Sequence, residues 1–272
     1  MDFRTKVNVS KADYEIQPAD RMLFVGSCFA DNLGKRFMDN NFRAVVNPFG
    51  VMYNPASILH TVDRYLKENK GVKLDVVVFT LGTNHVYVLK ETGEIVDNCQ
   101  KRPQSLFEER EMTVGECVVE LSKAIWMLMD KGVKHVVVTV SPIRYAKYGF
   151  HGSQLSKSTL LLASDLLTQR FPELVSYFPA YEIVNDELRD YRFYKEDMLH
   201  PSDQAVEYIW ERFRETYFGK ATEQFLAEWK PIKEALGHRP FNPDSEEYQK
   251  FLAKAKEEER QFNEKYFNKV KS

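Results

Sequence analysis

Two short stretches of this 272-residue chain carry side chains that could make and break an acyl bond. In Gly26-Ser27-Cys28-Phe29-Ala30 a hydroxyl and a thiol stand side by side where an apolar run gives way to helical spacing. A nucleophile placed there sits at a helix amino terminus, whose unpaired N–H groups and dipole favour an anion. In Asp197-Met198-Leu199-His200-Pro201 the acid and the imidazole are three residues apart across a turn. That spacing lets Asp197 accept the Nδ1 proton and leaves Nε2 of His200 as a general base. Two further loops offer donors for a developing oxyanion. Asn84, in Leu81-Gly82-Thr83-Asn84-His85, could give its side-chain amide, and Gly50, closing Asn47-Pro48-Phe49-Gly50, its backbone N–H. Each piece also has an ordinary reading: Ser27 as a helix cap, Cys28 as a small core residue, Asp197 as a turn former, and the Gly and Asn residues as loop punctuation. The five other histidines lack a comparable neighbourhood, apart from His85.

The elements that must position these residues alternate in period. Strands are expected over 22–26, 42–46, 75–81, 135–140 and 175–178, and helices over 27–41, 113–131, 156–171 and 201–218, with another through Leu59, Val62, Tyr65 and Leu66 after an irregular loop holding Pro48, Gly50 and Pro55. Val76-Val77-Val78-Phe79 has the unbroken apolar run of a strand covered on both faces. A hairpin over 86–89 and 94–96, turning at Thr92-Gly93, is expected as an edge embellishment. Alternating βα units imply parallel strands and right-handed crossovers, hence a three-layer α/β/α sandwich with a five-stranded, mainly parallel sheet. Each of the four chemical stretches follows an expected strand or opens a helix, where such folds place their sites. The α/β part is expected to span 1–218. Residues 219–272 read as a charged, amphipathic helical extension, with Phe225, Trp229, Ile232 and Leu236 on one face.

Composition removes other classes. With 38 Lys plus Arg against 40 Asp plus Glu, the net charge is −2, without the basic block on which bulk nucleic-acid binding relies. No apolar stretch approaches the roughly 20 residues of a membrane-spanning helix, so no membrane partner is expected. The amino terminus lacks the apolar core of a secretory leader, which points to the cytoplasm. Cys28, Cys99 and Cys117 are an odd set at spacings of neither a disulfide framework nor a zinc site, and reduced thiols are expected. No Gly-rich phosphate loop occurs. Neither a metal nor a cofactor is therefore expected.

Taken in order, the Gly-containing nucleophile turn, the Gly50 loop, Gly82-x-Asn84 and the late Asp197-x-x-His200 resemble the four blocks of the SGNH (GDSL-type) hydrolases. The string Gly26-Ser27-Cys28-Phe29-Ala30 resembles most closely the branch it names, the GSCFA family. The likeness continues through Tyr53-Asn54-Pro55, Thr80-Leu81-Gly82-Thr83, Thr139-Val140-Ser141-Pro142, Leu155-Ser156-Lys157-Ser158 and Asp197 to Ser202. It implies hydrolysis or transfer of an acyl group on an oxygen ester, the substrate being a small or carbohydrate-linked acyl ester. Cys28 or Ser27 would then be the nucleophile, His200 the base and Asp197 its orienter. The oxyanion would rest on the Cys28 and Gly50 N–H groups and the Asn84 amide. Laid over G-D-S-L, the register puts Cys28 where the serine stands and Ser27 in the aspartate position. The stretch 67–74 is shorter than its family counterpart. A non-catalytic module of the same fold, binding a glycan or a protein partner, is the alternative.

Overall fold

The computed structural model describes residues 4–97 and 102–268. Cys99 lies outside the described residues.

Three strands are apolar almost throughout and occupy the centre: β1 (Arg21–Gly26), β3 (Val76–Leu81) and β7 (His135–Val140). With β2 (Arg43–Val46) and β8 (Val175–Tyr177) they form one sheet in the order β2-β1-β3-β7-β8, every pair parallel. The register Leu23↔Val77↔Val136 carries the period-2 alternation across the sheet. Met22, Phe24, Val76, Val78 and Val137 face one core, with Phe29 and Phe37 of α1 (Cys28–Asp39) and Ile209 and Phe213 of α6 (Asp203–Tyr217). Leu23, Val25, Val77, Phe79 and Val138 face the other. There they meet α2 (Pro55–Glu68), α3 (Val114–Asp130) and α4 (Gly149–Arg170). Each fully buried Val, Leu or Phe contributes about 1.5–3 kcal/mol, so these two faces supply the main driving force. The result is the expected three-layer sandwich.

The helices start where side chains can cap them. Ser27 caps α1, Asn54 caps α2 ahead of Pro55, and Thr113 with Glu116 forms a reciprocal capping box on α3. Three expected helices start elsewhere. Helix α2 opens at Pro55, a residue expected in the preceding loop, because proline suits the first helical position. Helix α4 begins at Gly149 rather than 156, its opening turns disguised by Gly149 and Gly152. Helix α6 begins at Asp203 with Ser202 as cap, while Pro201 bridges to Tyr194 instead of entering the helix.

The hairpin of β4 (His85–Leu89) and β5 (Ile95–Val96) forms, with the Leu89 N–H donating to the Glu94 carbonyl. It is not an edge of the main sheet. A strand absent from the sequence reading, β6 (Phe107–Glu111), pairs antiparallel with β4 to make a separate three-stranded sheet. After β8 a short α5 (Ala180–Glu182) runs into a π-helical turn, Ile183–Leu188. At the carboxyl end, α7 (Lys220–Leu236) and α8 (Glu246–Phe267) place Phe225, Trp229, Ile232 and Phe262 in the same core as α1 and α6. Trp229 Nε1 also donates to the Asp39 carbonyl at 3.1 Å. Val7, Val9, Ala12 and Tyr14 join this side, where Ile16 is fully buried and its carbonyl accepts the Thr222 hydroxyl. Among the described residues no helix is long and apolar enough to cross a membrane.

Candidate active site

Strand β1 ends in Gly26 at φ +147°, packed so closely on β3 that a Cβ there would lie 2.2 Å from the Thr80 carbonyl oxygen. Only glycine allows this approach. The next residue, Ser27, is locked into the fold. It is fully buried, its N–H donates to the Thr80 carbonyl, its Oγ lies 3.2 Å from Thr80 Oγ1, and that same Oγ accepts the Phe29 N–H. Its hydroxyl therefore caps α1. Cys28 is the first helical residue and only partly buried. Among the described residues nothing accepts from its N–H, as befits the first turn of a helix. Among the described residues its Sγ has one hydrogen-bond partner, the Tyr53 hydroxyl, at 3.6 Å.

The acid–imidazole pair also forms. His200 Nδ1 lies 2.6 Å from Asp197 Oδ2, while Asp197 Oδ1 accepts the N–H groups of Leu199 (2.8 Å) and His200 (2.9 Å). Met198 adopts φ +56°, the left-handed conformation that folds the loop back onto the Asp197 carboxylate. The two backbone N–H groups, with the imidazole beside them, hold the Asp197 carboxyl down to about 2. It stays ionised throughout the range in which an imidazole can act as a base. With Oδ2 accepting from Nδ1, Nε2 is left as the acceptor face of the neutral ring.

The segment after β7 connects the two halves. The Arg144 N–H donates to the Leu199 carbonyl and its Nη1 to the Met198 carbonyl, at 3.0 and 3.1 Å, which ties the His200 loop down. The adjacent Tyr145 meets the ring of Tyr53 edge-on, with centroids 5.9 Å apart. The Gly26 turn, Tyr53, Tyr145 and the Asp197–His200 loop thus gather at the carboxyl ends of β1, β3 and β7. No hydrogen bond joins Cys28 to His200 among the described residues.

Two expectations need correction. The Gly50 N–H closes its own turn onto the Asn47 carbonyl at 2.9 Å, so it is not offered to a substrate. Asn84 is buried, with Nδ2 donated to the Met112 carbonyl (2.8 Å) and its N–H to Ser156 Oγ (3.0 Å). The oxyanion roles expected of both are not formed. Conversely, His60 does have an acidic partner, Asp97, at 2.8 Å, beside a cavity of about 360 Å³ that also holds Arg64 and Phe49. That pair has no thiol or hydroxyl within hydrogen-bonding distance among the described residues.

Two groups at this end of the sheet had drawn no role from the sequence. Tyr53 is one. Lys157 is the other: it is 1% exposed and donates to the carbonyls of Gly82 (2.6 Å) and Ser141 (2.8 Å), the residues that follow β3 and β7. Its Nζ lies 4.9 Å from the centre of the Tyr145 ring. Among the described residues no carboxylate is paired with it, and burial pulls its pKa down to about 7. A lysine on the inward stripe of α4, in register with Ser153, Leu160 and Ser164, was the available signal. Among the described residues no group of three or more His, Cys, Asp or Glu side chains is arranged to hold a metal ion.

A parallel sheet flanked by helices, with its polar cluster at the strands' carboxyl ends, defines a three-layer α/β/α sandwich. The chain belongs to the GSCFA family, whose description matches residues 21–73 and 68–213, and the GSCFA domain protein C-terminal domain matches 229–272. Among solved structures it is similar to a catalytic mutant of an acetylxylan esterase from Geobacillus stearothermophilus. That likeness has 13% identity and a TM-score of 0.50, covering 75% of this chain and 97% of the other. It is also similar to a member of the lipolytic protein G-D-S-L family from Veillonella parvula, at 12% identity and a TM-score of 0.48, covering 73% and 98%. At 13% identity the likeness to the acetylxylan esterase bears on the fold alone. No curated protein matches the chain.

Proposed function

We propose that the protein is an acyl-ester hydrolase or acyltransferase in which Cys28 is the nucleophile, His200 the base and Asp197 its orienter. The observation that carries this reading is the Asp197–His200 pair, held at 2.6 Å on a loop tied to the segment after β7, at the same sheet end as a partly exposed thiol on a helix amino terminus. Ser27 is the weaker nucleophile because its buried hydroxyl is committed to capping α1. In the reaction, His200 Nε2 takes the thiol proton and the sulfur attacks the ester carbonyl. As the C–O bond breaks, the same proton passes to the leaving alkoxide. The resulting thioester is then open to water, an amine or a thiol, so transfer and hydrolysis share the first half. The unbonded Cys28 N–H is one donor toward the oxyanion. Contacts between nucleophile and base commonly tighten only when substrate is bound.

The acetylxylan esterase among the structural neighbours suggests a small or carbohydrate-linked acyl ester as substrate. The missing Cys28–His200 hydrogen bond favours one other reading, a binding module that keeps the pocket without the rate. Turnover of p-nitrophenyl acetate separates them. The wild type is expected to hydrolyse it and Cys28→Ala to lose all measurable turnover; equal rates in the two proteins would refute the catalytic reading.

A further inference from the structure

We propose that the Tyr53 hydroxyl is a catalytic donor at Cys28, bonded to the thiolate before attack and moving to the carbonyl oxygen as negative charge passes there. This rests on the reading of Cys28 as nucleophile. Among the described residues the Tyr53 hydroxyl is the polar side-chain group within hydrogen-bonding distance of Sγ, at 3.6 Å. It is also held in place. The Tyr53 carbonyl accepts both the Gly82 and Thr83 N–H groups, at 2.9 and 2.8 Å, and its ring packs edge-on against the half-buried Tyr145. Asn54, the next residue, caps α2 through its side chain, which fixes the chain on the other side. With Gly50 and Asn84 engaged elsewhere, the Cys28 N–H would otherwise face the oxyanion alone, and preorganised sites of this kind use more than one donor.

The chemistry suits a tyrosine. Burial, reinforced by the neighbouring sulfur, pushes its hydroxyl up to about 12, so it remains a protonated donor at neutral pH. In the attack the sulfur electron pair forms the C–S bond and the carbonyl π pair moves onto oxygen. Sulfur and oxyanion are then bonded to one carbon, and a rotation about the Tyr53 C–O bond redirects the O–H from one to the other. Tyr53 keeps its proton throughout; the proton that travels is the thiol's, by way of His200.

Tyr53→Phe removes the donor and keeps the ring against Tyr145. Its test is the rate at which iodoacetamide alkylates Cys28 at pH 7, followed on the Cys28 peptide by mass spectrometry, together with kcat and KM for p-nitrophenyl acetate. Loss of the hydrogen bond that favours the thiolate, partly offset by the greater nucleophilicity of the thiolate that remains, predicts alkylation about three- to fourfold slower than wild type. In an active enzyme kcat is expected to fall about 10²-fold with KM within about twofold. Mere opening of the site would instead speed alkylation. An equal or faster alkylation rate overturns the proposal, and so does an unchanged kcat. Slower alkylation in a protein whose wild type turns over no ester upholds the Tyr53–Cys28 bond and rejects the esterase reading.

Discussion

Replacing His200 with alanine is expected to lower kcat for p-nitrophenyl acetate by about 10³–10⁴-fold, with the thermal melt unchanged. The side chain is half-exposed, and the loop keeps its backbone bonds, since the Lys195 N–H donates to the His200 carbonyl whatever the side chain. Asp197→Asn should cost nearly as much for a different reason. In the wild type one carboxylate oxygen accepts two backbone N–H groups and the other accepts from Nδ1. An asparagine can keep the first set through its carbonyl oxygen, so the loop stays folded. Its NH₂ then faces Nδ1 as a donor and drives the ring proton onto Nε2, the atom that must accept from the thiol. The two variants together separate tautomer control from loop architecture. Steady-state kinetics beside a circular-dichroism melt check both, and rates within about threefold of wild type would contradict the assignment of this pair as the catalytic base.

Lys157 carries the second large effect, on stability. Its ammonium is fully buried with no counter-ion among the described residues, and burial pulls its pKa from the ordinary 10.5 to about 7. A neutral amine still donates to the Gly82 and Ser141 carbonyls, so deprotonation in the folded state forfeits neither bond. Below pH 7 folded and unfolded chains both carry the proton, and folding bears the full cost of burying charge. Between about 7 and 10.5 the unfolded chain binds more protons than the folded one, so this group's contribution to stability rises with pH. From pH 7 to pH 10 the gain is on the order of 4 kcal/mol. Lys157→Met leaves two carbonyls short of a donor at every pH, a constant offset that does not change the slope. Urea unfolding of both proteins across this range should give a stability difference that moves in favour of wild type as pH rises. Parallel pH profiles would show that Lys157 does not titrate there.

Much of the fold was legible because buried parallel strands spell themselves out as apolar runs, as in Val76 to Phe79. Strand β6 was not. Its Phe-Glu-Glu-Arg-Glu sequence lies in a small, solvent-facing antiparallel sheet where neither face demands a continuous apolar row. Local contacts in the site were legible too: Asp197 and His200 meet across three residues, and Ser27 caps the helix it precedes. What escaped is set by tertiary placement. Whether the Gly50 N–H or the Asn84 amide is free depends on the Asn47 and Met112 carbonyls, which motif spacing does not report. Tyr53 reaches Cys28 from 25 residues away, and Lys157 reaches the Gly82 carbonyl from 75. Each is an ordinary residue in its own stretch of chain and acquires a role only where β1, β3 and β7 end together.

The central claim is that acyl transfer passes through the Cys28 sulfur. Rapid acid quenching of the protein during reaction with p-nitrophenyl acetate, followed by peptide mapping in a mass spectrometer, tests it most directly. An acetyl group is expected on the peptide bearing Cys28, carried as a hydroxylamine-labile thioester, absent from Cys28→Ala and accumulating far more slowly in His200→Ala. An acetyl group carried on Ser27 as an oxygen ester, or at any residue outside the Gly26 turn, would contradict it.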